Sequence, residues 1–318
     1  MNPFLKQVAD HYFKEGNIQR RCFIFPNRRS MLFFRKYLCE NVADSRENPI
    51  LAPQMLTIND LFLKASGARV ADRVRLLIDL YASYRELNPA AETLDEFIFW
   101  GDMMLGDFND VDKYLVDPVQ LFRNVSDYKE MQDDFSHLTP VQKEAINAFI
   151  KHFKDEAGRL TVHLDTDDPD VKGKFLQIWN IMLPLYEKFN ALLDAKGLAY
   201  EGKVYRHLAY QLKNHPAEDI FAAVFPRVEK FVFVGLNALN EAEKTVLRKL
   251  RDASMAEFCW DWSGDMIRDP QNRSSFFMSD NVKEFPQAFS LDAEGLPLPH
   301  FRVVSVASSV GQAKRLPD

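Results

Sequence analysis

Two adjacent arginines, Arg28 and Arg29, stand where a short apolar run gives way to a helical pattern. Residues 22–26 read Cys-Phe-Ile-Phe-Pro and predict a buried strand, whereas residues 30–38 return to helical spacing. A helix that begins at the carboxyl end of a buried strand presents free N–H groups and the positive end of its dipole, which suits a phosphate. The candidate contacts at this helix start are the two arginines, Arg28 and Arg29. The alternative is that these arginines only solvate an exposed helix end.

The absence of an ATP-binding motif from the sequence indicates which kind of phosphate this helix start could bind. No Gly-x-x-x-x-Gly-Lys-[Ser/Thr] pattern occurs in the chain, so the loop that cradles the phosphates of ATP is missing. A nucleic-acid backbone is therefore a better candidate than ATP. The net charge of −6 argues against binding through bulk charge, but the charge is segregated. Residues 16–39 hold six cations and no acid, whereas residues 92–117 hold eight acids and one lysine.

Three other patterns resemble chemical motifs and have simpler explanations. Residues 107–112 resemble a calcium loop, but Val111 occupies a ligand position and Asp112 replaces the required glycine, so we predict a polar helix junction. Asp170, followed by Asp194 and Lys196 or by Glu201 and Lys203, resembles a nuclease site. One predicted helix would hold those acids about 35 Å apart, which excludes the site. Residues 138–142 resemble an adenine-reading motif, and a capped helix start explains them.

Helices dominate the elements that must position these residues. The first helix covers residues 4–13, and Thr57, with Asp60 three residues later, predicts a second capped start. Further helical segments are predicted at 72–86, 94–104, 118–128, 139–157, 171–195, 203–212 and 241–250. Strands return at 230–234, 257–260 and 302–306, and the Trp-Asp-Trp at 260–262 is interpreted as a packed strand end rather than a base-stacking platform. Apolar runs joined by helices favour a buried parallel sheet made from the two ends of the chain.

The composition is typical of a helix-rich globular protein in a reducing compartment. Gly is scarce at 12 of 318 residues, and 47% apolar residues exclude disorder along most of the chain. Three cysteines without a close pair supply neither a metal knuckle nor a disulfide framework. No stretch approaches the ~18 apolar residues of a membrane span, and the first 16 residues lack the core of a signal peptide. We therefore expect a cytoplasmic protein without membrane contact.

Several segments together resemble a known protein family. They are similar to the N-terminal, helicase-like portion of AddB-type proteins of the PD-(D/E)XK exonuclease family, in the form found in Bacteroidetes. The matching segments are FIFPNRRSMLFFRKYL, LAPQMLTINDLF, WGDMMLGDFNDVDKYLVDPVQLFRNVSD, LLDAKGLAYEGKVYRHLA, FVFVGLNALNEAEKTVLRKL and RVVSVASSVGQAKRL. They run over nearly the whole chain in order, although none is the signature of an active site.

The resemblance implies a fold related to the UvrD-like and RecB-like superfamily 1 helicases. The expected fold is an α/β, RecA-like parallel-sheet domain, a degenerate P-loop NTPase fold, with a large all-α insertion. Residues 1–66 and 227–318 would form the RecA-like domain, and residues 67–226 the insertion. Residues 23–35 fall on helicase motif Ia and residues 57–59 on motif Ib, both of which contact single-stranded DNA. The implied DNA contacts are Asn27, Arg28, Arg29, Ser30, Arg35, Thr57 and Asn59.

Two departures from the helicase pattern concern the ATP site. A predicted helix at residues 3–15 stands where an active helicase has its phosphate loop. The strand at 231–234 ends in Gly235-Leu236-Asn237 instead of Asp-Glu, so no carboxylate there could hold magnesium or polarise water. We therefore expect a pseudo-helicase with no catalytic residue, metal or cofactor in this chain. A second RecA-like domain and a nuclease domain, with the iron–sulfur cysteines of some relatives, would lie beyond Asp318.

The leading functional hypothesis combines these expectations. The chain would be a non-catalytic part of an AddB-like, ATP-dependent exonuclease that binds single-stranded DNA during double-strand-break repair and recombination, beside an AddA-like helicase/nuclease subunit. The first alternative is a protein-interaction scaffold for such a partner without direct DNA binding, in which the acidic residues 92–117 face the partner. The second alternative is an enzyme with a residual nucleotide site that the sequence does not reveal.

Overall fold

A small, entirely parallel sheet lies at the centre of the protein. The computed structural model describes residues 3–45, 50–89, 91–122, 169–262, 267, 271–291, 302–306 and 308–315, with residues 169–180 described by their backbone alone. The sheet has the order β2-β1-β3-β4, with β1 at Arg21–Phe25, β2 at Gln54–Thr57, β3 at Lys230–Val234 and β4 at Ala256–Cys259. The prediction of a helix-dominated α/β chain with a parallel sheet is confirmed.

Eleven labelled helices make up most of the described chain. They are α1 Phe4–Glu15, α2 Arg28–Ser45, α3 Ile58–Ser66, α4 Arg73–Leu87, α5 Leu94–Lys113, α6 Pro169–Ala195, α7 Glu201–Asn214, α8 Ala217–Val224, α9 Glu241–Asp252, α10 Phe276–Glu284 and α11 Ser309–Lys314. Capping boxes at Thr57 and Asn240 fix the starts of α3 and α9. Among the described helices, none has the length and apolar character that crossing a membrane requires.

Helices cover both faces of the sheet. On one face, α1 and α2 pack against Phe23, Phe25, Val232 and Val234. On the opposite face, α3, α7, α8 and α9 pack against Cys22, Ile24, Phe231 and Phe233. Burial of alternate residues on opposite faces explains why β1 and β3 are continuous apolar runs in the sequence.

A second apolar cluster lies among α4, α5 and α6, away from the sheet. Its fully buried members include Leu80, Phe97, Phe108 and Phe189. Helix α4 is joined to the turn after α6 by Asp79, whose buried carboxylate accepts from Lys196 Nζ at 2.7 Å. Part of the predicted insertion, residues 67–226, thus forms an apolar cluster away from the sheet, and the division of the chain into two domains stays a prediction.

Asp112 joins this second cluster to α7. Its carboxylate is 1% exposed and accepts hydrogen bonds from Tyr186 Oη at 2.5 Å, from Tyr200 Oη and from Arg206 Nε at 2.5 Å. Burial, followed by the nearby Asp112 charge, raises the pKa of both tyrosines, so both hydroxyls remain protonated donors. Residues 107–112 lie within α5, and Asp112 serves this helix junction instead of a calcium loop.

Some predicted elements differ from the structure. Residues 302–306, predicted as a strand, have no regular structure and form no ladder with any described strand. An apolar run becomes a strand only where a neighbouring strand supplies backbone hydrogen-bond partners. Next to β4, Gln287 rather than residues 302–306 makes the backbone contact, as an isolated bridge to Phe258. Helix α8 has no counterpart among the predicted helices, and both α7 and α8 contribute to the sheet-packed cluster. The predicted helix at 139–157 and the motif at 138–142 lie outside the described residues.

Candidate functional site

The sheet divides at its centre, between β1 and β3. The chain leaves β1 through α2 on one face and proceeds to β2, whereas it leaves β3 through α9 on the other face and proceeds to β4. These connections diverge, so the carboxyl ends of β1 and β3 lie at the topological switch point of the sheet, called the crevice below, which is where open parallel α/β sheets bind ligands. Asn27 and Arg28 follow β1 on one side of the crevice, and Gly235 to Asn237 follow β3 on the other.

The α2 side of the crevice is a helix start shaped by Asn27. The Asn27 Oδ1 atom accepts from the Ser30 backbone N–H at 2.9 Å and from the Ser30 hydroxyl at 3.2 Å. This cap satisfies one of the free N–H groups of the first turn and leaves those of Arg28 and Arg29 without a partner among the described residues. Asn27 and Ser30 therefore set the geometry, and the first two N–H groups remain available to an anion.

Arg28 and Arg29 are exposed and form no ion pair or hydrogen bond with another described residue. Arg35, two turns further along α2, is also exposed and unpaired within the described chain. The other cations of residues 16–39 do have carboxylate partners: Arg20 with Glu229, Arg21 with Glu15 and Lys36 with Glu40. The three unpaired cations thus coincide with three predicted DNA contacts.

Helix α4 shows how arginines at a helix start are held when they serve the fold. Its first turn also carries two arginines, Arg73 and Arg75. Arg73 Nε donates to Asp102 at 2.7 Å, and Arg75 Nε donates to Asp79 at 3.1 Å. The arginines of α2 have no equivalent carboxylates in the described chain, although they also lie in the first turn of their helix.

The first turn of α2 also conflicts with its own helix dipole. Acids in the first turn stabilise a helix, and cations there destabilise it by about 0.3–1 kcal/mol each. Helices α3, α5, α7, α8 and α9 follow this rule with acidic first turns, whereas α2 has two arginines and no acid. A local feature that costs stability, and that no described residue compensates, is typical of a functional site.

Thr57 and Asn59 lie at the same edge of the sheet but differ in the hydrogen bonds that their side chains make. Thr57 pairs with Phe25 in the ladder, so β2 ends beside β1. The Thr57 hydroxyl donates to Asp60 Oδ2 at 2.7 Å and accepts from the Asp60 N–H at 3.1 Å, so it is engaged in capping α3. The Asn59 Oδ1 atom is buried without a hydrogen-bond partner in the described part of the chain. Both residues therefore border the site, with Thr57 in a structural role.

The β3 side of the crevice offers amides rather than carboxylates. Gly235 has a φ of +66°, and a Cβ there would lie 3.2 Å from Phe4, which places the first turn of α1 at this edge as well. Asn237 is exposed, and its carbonyl accepts from Asn281 Nδ2 of α10 at 2.5 Å. Sequence reasoning missed the contributions of Phe4 and Asn281, because both reach the edge only through tertiary packing.

Two exposed apolar residues on α2, Leu32 and Phe33, were also missed by sequence reasoning. Both lie one helical turn beyond Arg28 and Arg29, so they continue the surface that begins at the crevice. The helical spacing of the arginines around them is a sequence signal that could have identified this surface.

Other side chains of the described chain that could carry out chemistry are either buried and unreactive or already hydrogen-bonded. Burial raises the pKa of the Cys22 and Cys259 thiols to about 12, so neither is a nucleophile near neutral pH. Trp260 is fully buried and donates to the Phe285 carbonyl at 2.7 Å, as expected of a packed strand end. No group of three metal-ligating side chains occurs among the described residues.

The acids of the rejected nuclease motif also stay apart. Asp170 and Asp194 lie near opposite ends of α6, which at 1.5 Å per residue places them about 36 Å apart. Lys203 pairs with Asp194 at 2.7 Å, while Glu201 pairs with Lys113 at 2.5 Å. These pairs hold helices together and do not converge on one point.

Comparisons with known proteins leave the family open. The sequence matches no known family profile, and it matches no curated protein. The resemblance to AddB-type proteins therefore stays a prediction, and the geometry at the carboxyl edge of the sheet is what bears on function.

Proposed function

We propose that this protein is a helicase-like, non-catalytic module that binds the backbone of single-stranded DNA at the carboxyl edge of its sheet. In this proposal the sheet is a RecA-like domain without an ATP site, and the protein serves an AddB-like exonuclease in double-strand-break repair, beside an AddA-like subunit. The observation that carries the proposal is the pair of exposed arginines, Arg28 and Arg29, which have no carboxylate partner in the described chain.

The electrostatics of α2 favour a polyanion as the ligand. The positive end of the helix dipole, the backbone N–H groups of Arg28 and Arg29 and their two guanidinium groups all belong to the first turn of α2. The two guanidinium groups oppose the helix dipole in the free protein, and a bound phosphate would compensate that cost. Contacts of this kind position a nucleic-acid backbone without reading its sequence.

The arrangement of the sheet supports the helicase-like part of the proposal. The predicted motif Ia residues follow β1 at the central crevice, Thr57 is the last residue of the adjacent β2, and Asn59 comes two residues later. Across the crevice, β3 ends in Gly235-Leu236-Asn237, which supplies no carboxylate for a magnesium ion. DNA binding without ATP hydrolysis is the function that fits both sides of the crevice.

Binding of a fluorescent oligothymidine by the 318-residue chain tests the proposal. We expect binding at low ionic strength that weakens steeply with salt, because each phosphate contact contributes about 0.7 to the slope of log K against log salt for single strands. The double substitution Arg28→Ala with Arg29→Ala should weaken binding and reduce this slope by about 1.4.

The arginines of α4 provide the matched control. Arg73→Ala with Arg75→Ala removes the same charge from the first turn of another helix, and it should leave the slope unchanged. Equal losses in the two double variants would show that binding depends on overall charge and would overturn the assigned site. No salt-dependent binding by the wild-type chain would overturn the function itself.

A second candidate function, a protein-interaction scaffold, is favoured by the outer face of α5. There, exposed Ile98 and Phe99 lie among Asp95, Glu96 and Asp102. An apolar surface bordered by acids suits a protein partner with a basic, apolar surface. Capture of a helicase partner by the chain, abolished by Phe99→Ala and insensitive to Arg28→Ala, would favour this function over DNA binding.

A further inference from the structure

Two apolar side chains are exposed within the cationic surface of α2. Leu32 is 54% exposed and Phe33 is 44% exposed, whereas the next residue, Phe34, is fully buried. The residues three and four positions before and after Leu32 are all cationic, and positions at this spacing are neighbours on a helix surface. We call this surface the α2 outer face; it consists of Arg28, Arg29, Leu32, Phe33, Arg35 and Lys36.

Phe33 has cations on both sides along the helix and no aromatic partner. Arg29 precedes it by four residues, and Lys36 follows it by three. Its ring makes no contact with another aromatic ring in the described chain, although rings are paired throughout the core. Of the four cations on this face, Lys36 alone has a described ion pair, at 3.8 Å from Glu40. An unstacked ring therefore lies open to solvent between Arg29, which has no described ion pair, and Lys36, which is paired with Glu40 at 3.8 Å.

The composition of this face identifies the class of ligand that fits it. A complementary ligand must carry several negative charges and also present flat apolar groups between them. A single-stranded nucleic acid has both, because its phosphates are regularly spaced and its unpaired bases expose their ring faces. A duplex presents the phosphates but keeps the faces of its bases stacked inside.

An anionic membrane is the competing ligand, and α2 is poorly suited to it. Interfacial helices bury a continuous apolar face about 5–10 Å deep in the headgroup region. The apolar residues Phe34 and Leu38 of α2 face the protein core, which leaves Leu32 and Phe33 as the apolar part of the outer face. Two side chains do not form such a face, so the geometry favours a single strand over a membrane.

We infer that Phe33 stacks on a base of single-stranded nucleic acid whose phosphates are held by the cations around it. This inference rests on the proposed function, because the strand would reach the α2 outer face from the arginines at the start of the helix. From Arg28 to Lys36 the helix rises about 12 Å. A strand that follows α2 over that length passes all four cations of the face.

A comparison of two oligomers separates stacking from charge. The wild-type chain, Phe33→Ala and the matched control Phe99→Ala are each titrated with oligothymidine and with an abasic oligomer of equal length. Phe33→Ala should weaken oligothymidine binding about 5- to 150-fold, the usual effect of removing one stacking ring, without changing the salt slope. It should bind the abasic oligomer as the wild type does, and Phe99→Ala should behave as wild type with both oligomers.

The possible outcomes separate the stacking role of Phe33 from the proposed function. Undiminished oligothymidine binding by Phe33→Ala would overturn the stacking role while leaving the proposed function intact, and equal losses for both oligomers would do the same. Failure of the wild type to bind either oligomer would remove the proposed function together with this inference. Phosphatidylserine vesicles that bind the wild type but not Phe33→Ala, with no binding of oligothymidine, would identify a membrane surface instead. Partial rescue by Phe33→Tyr would support stacking.

Discussion

Helices α2 and α5 expose the same side chain in opposite electrostatic surroundings. On α2, Phe33 lies between Arg29 and Lys36, four residues before it and three after. On α5, Phe99 is 60% exposed and lies between Asp95 and Asp102 at the same spacings. The two surfaces are therefore close to mirror images in charge, and they suit different ligands.

The two helices also differ in whether their charged side chains are paired within the chain. Some acids of α5 are paired, since Asp102 accepts from Arg73 and the buried Asp112 accepts from Arg206. The arginines at the start of α2 have no such partner in the described chain. This difference separates charges that stabilise the fold from charges that are available to a ligand. Substitutions in each class should therefore affect different measurements.

The largest effect is expected from Asp112→Ala. This substitution removes the acceptor of three donors and leaves the 14% exposed side chain of Arg206 as an unpaired cation. Breaking a buried ion pair by removing one partner costs about 3–5 kcal/mol. We expect the free energy of unfolding, measured with urea, to fall by that amount, and we expect the folded fraction to bind oligothymidine as the wild type does.

Asp112→Asn provides the control for this prediction. The amide keeps one oxygen acceptor for a tyrosine hydroxyl, so its loss of stability should be smaller than that of Asp112→Ala. A loss below about 1 kcal/mol in the alanine variant, the range of an exposed pair, would mean that the Asp112 network is not the junction described above.

Arg28→Glu with Arg29→Glu should raise the free energy of unfolding, by less than Asp112→Ala lowers it. Acids at the start of α2 would interact favourably with the helix dipole, so the free energy of unfolding should rise by about 0.5–2 kcal/mol. The same variant should lose its binding of oligothymidine at low salt, because the charges that meet the phosphates are reversed. Chemical denaturation and fluorescence anisotropy on one preparation measure both quantities.

The start of α5 offers the converse substitution. Asp95→Lys with Glu96→Lys should lower stability, since it places cations at the positive end of a dipole and removes the Glu96 side chain from its capping box. It should not weaken oligothymidine binding. A stability loss in the glutamate variant of α2 would contradict the idea that its arginines are retained at the expense of the fold.

Local signals in the sequence predicted one side of the site, and tertiary packing determined the other. The apolar run before Pro26 and the helical spacing after it predicted β1, α2 and the exposed arginines. The position of the crevice could not be predicted, because it depends on the faces of the sheet that α2 and α9 cover. Residues 302–306 show the same limit: their β-prone sequence forms no strand without a partner in the described sheet.

The cationic outer face of α2, by contrast, could have been predicted from the sequence. Arg28, Arg29, Arg35 and Lys36 stand three and four residues from Leu32, and that spacing places them around one point of a helix. What the sequence could not establish is that Phe34, rather than Phe33, faces the core. The pattern of apolar residues on α2 is compatible with either rotation, and packing against Phe23 and Phe25 decides it.

The smallest expected effect concerns Cys39, which can report on the path of the strand. Cys39 is exposed on α2, four residues after Arg35 and three after Lys36, so it lies at the far end of the α2 outer face. Cys22 and Cys259 are buried with pKa values near 12, so an aromatic disulfide reagent at pH 8 should modify Cys39 alone in the folded protein. Saturating oligothymidine should slow this modification, and high salt should restore its rate because it releases the strand. An unchanged rate in the presence of bound oligothymidine would mean that the strand leaves α2 before its third turn. The contrast between α2 and α5 would then apply only to the arginines at the start of α2 and not to its whole outer face.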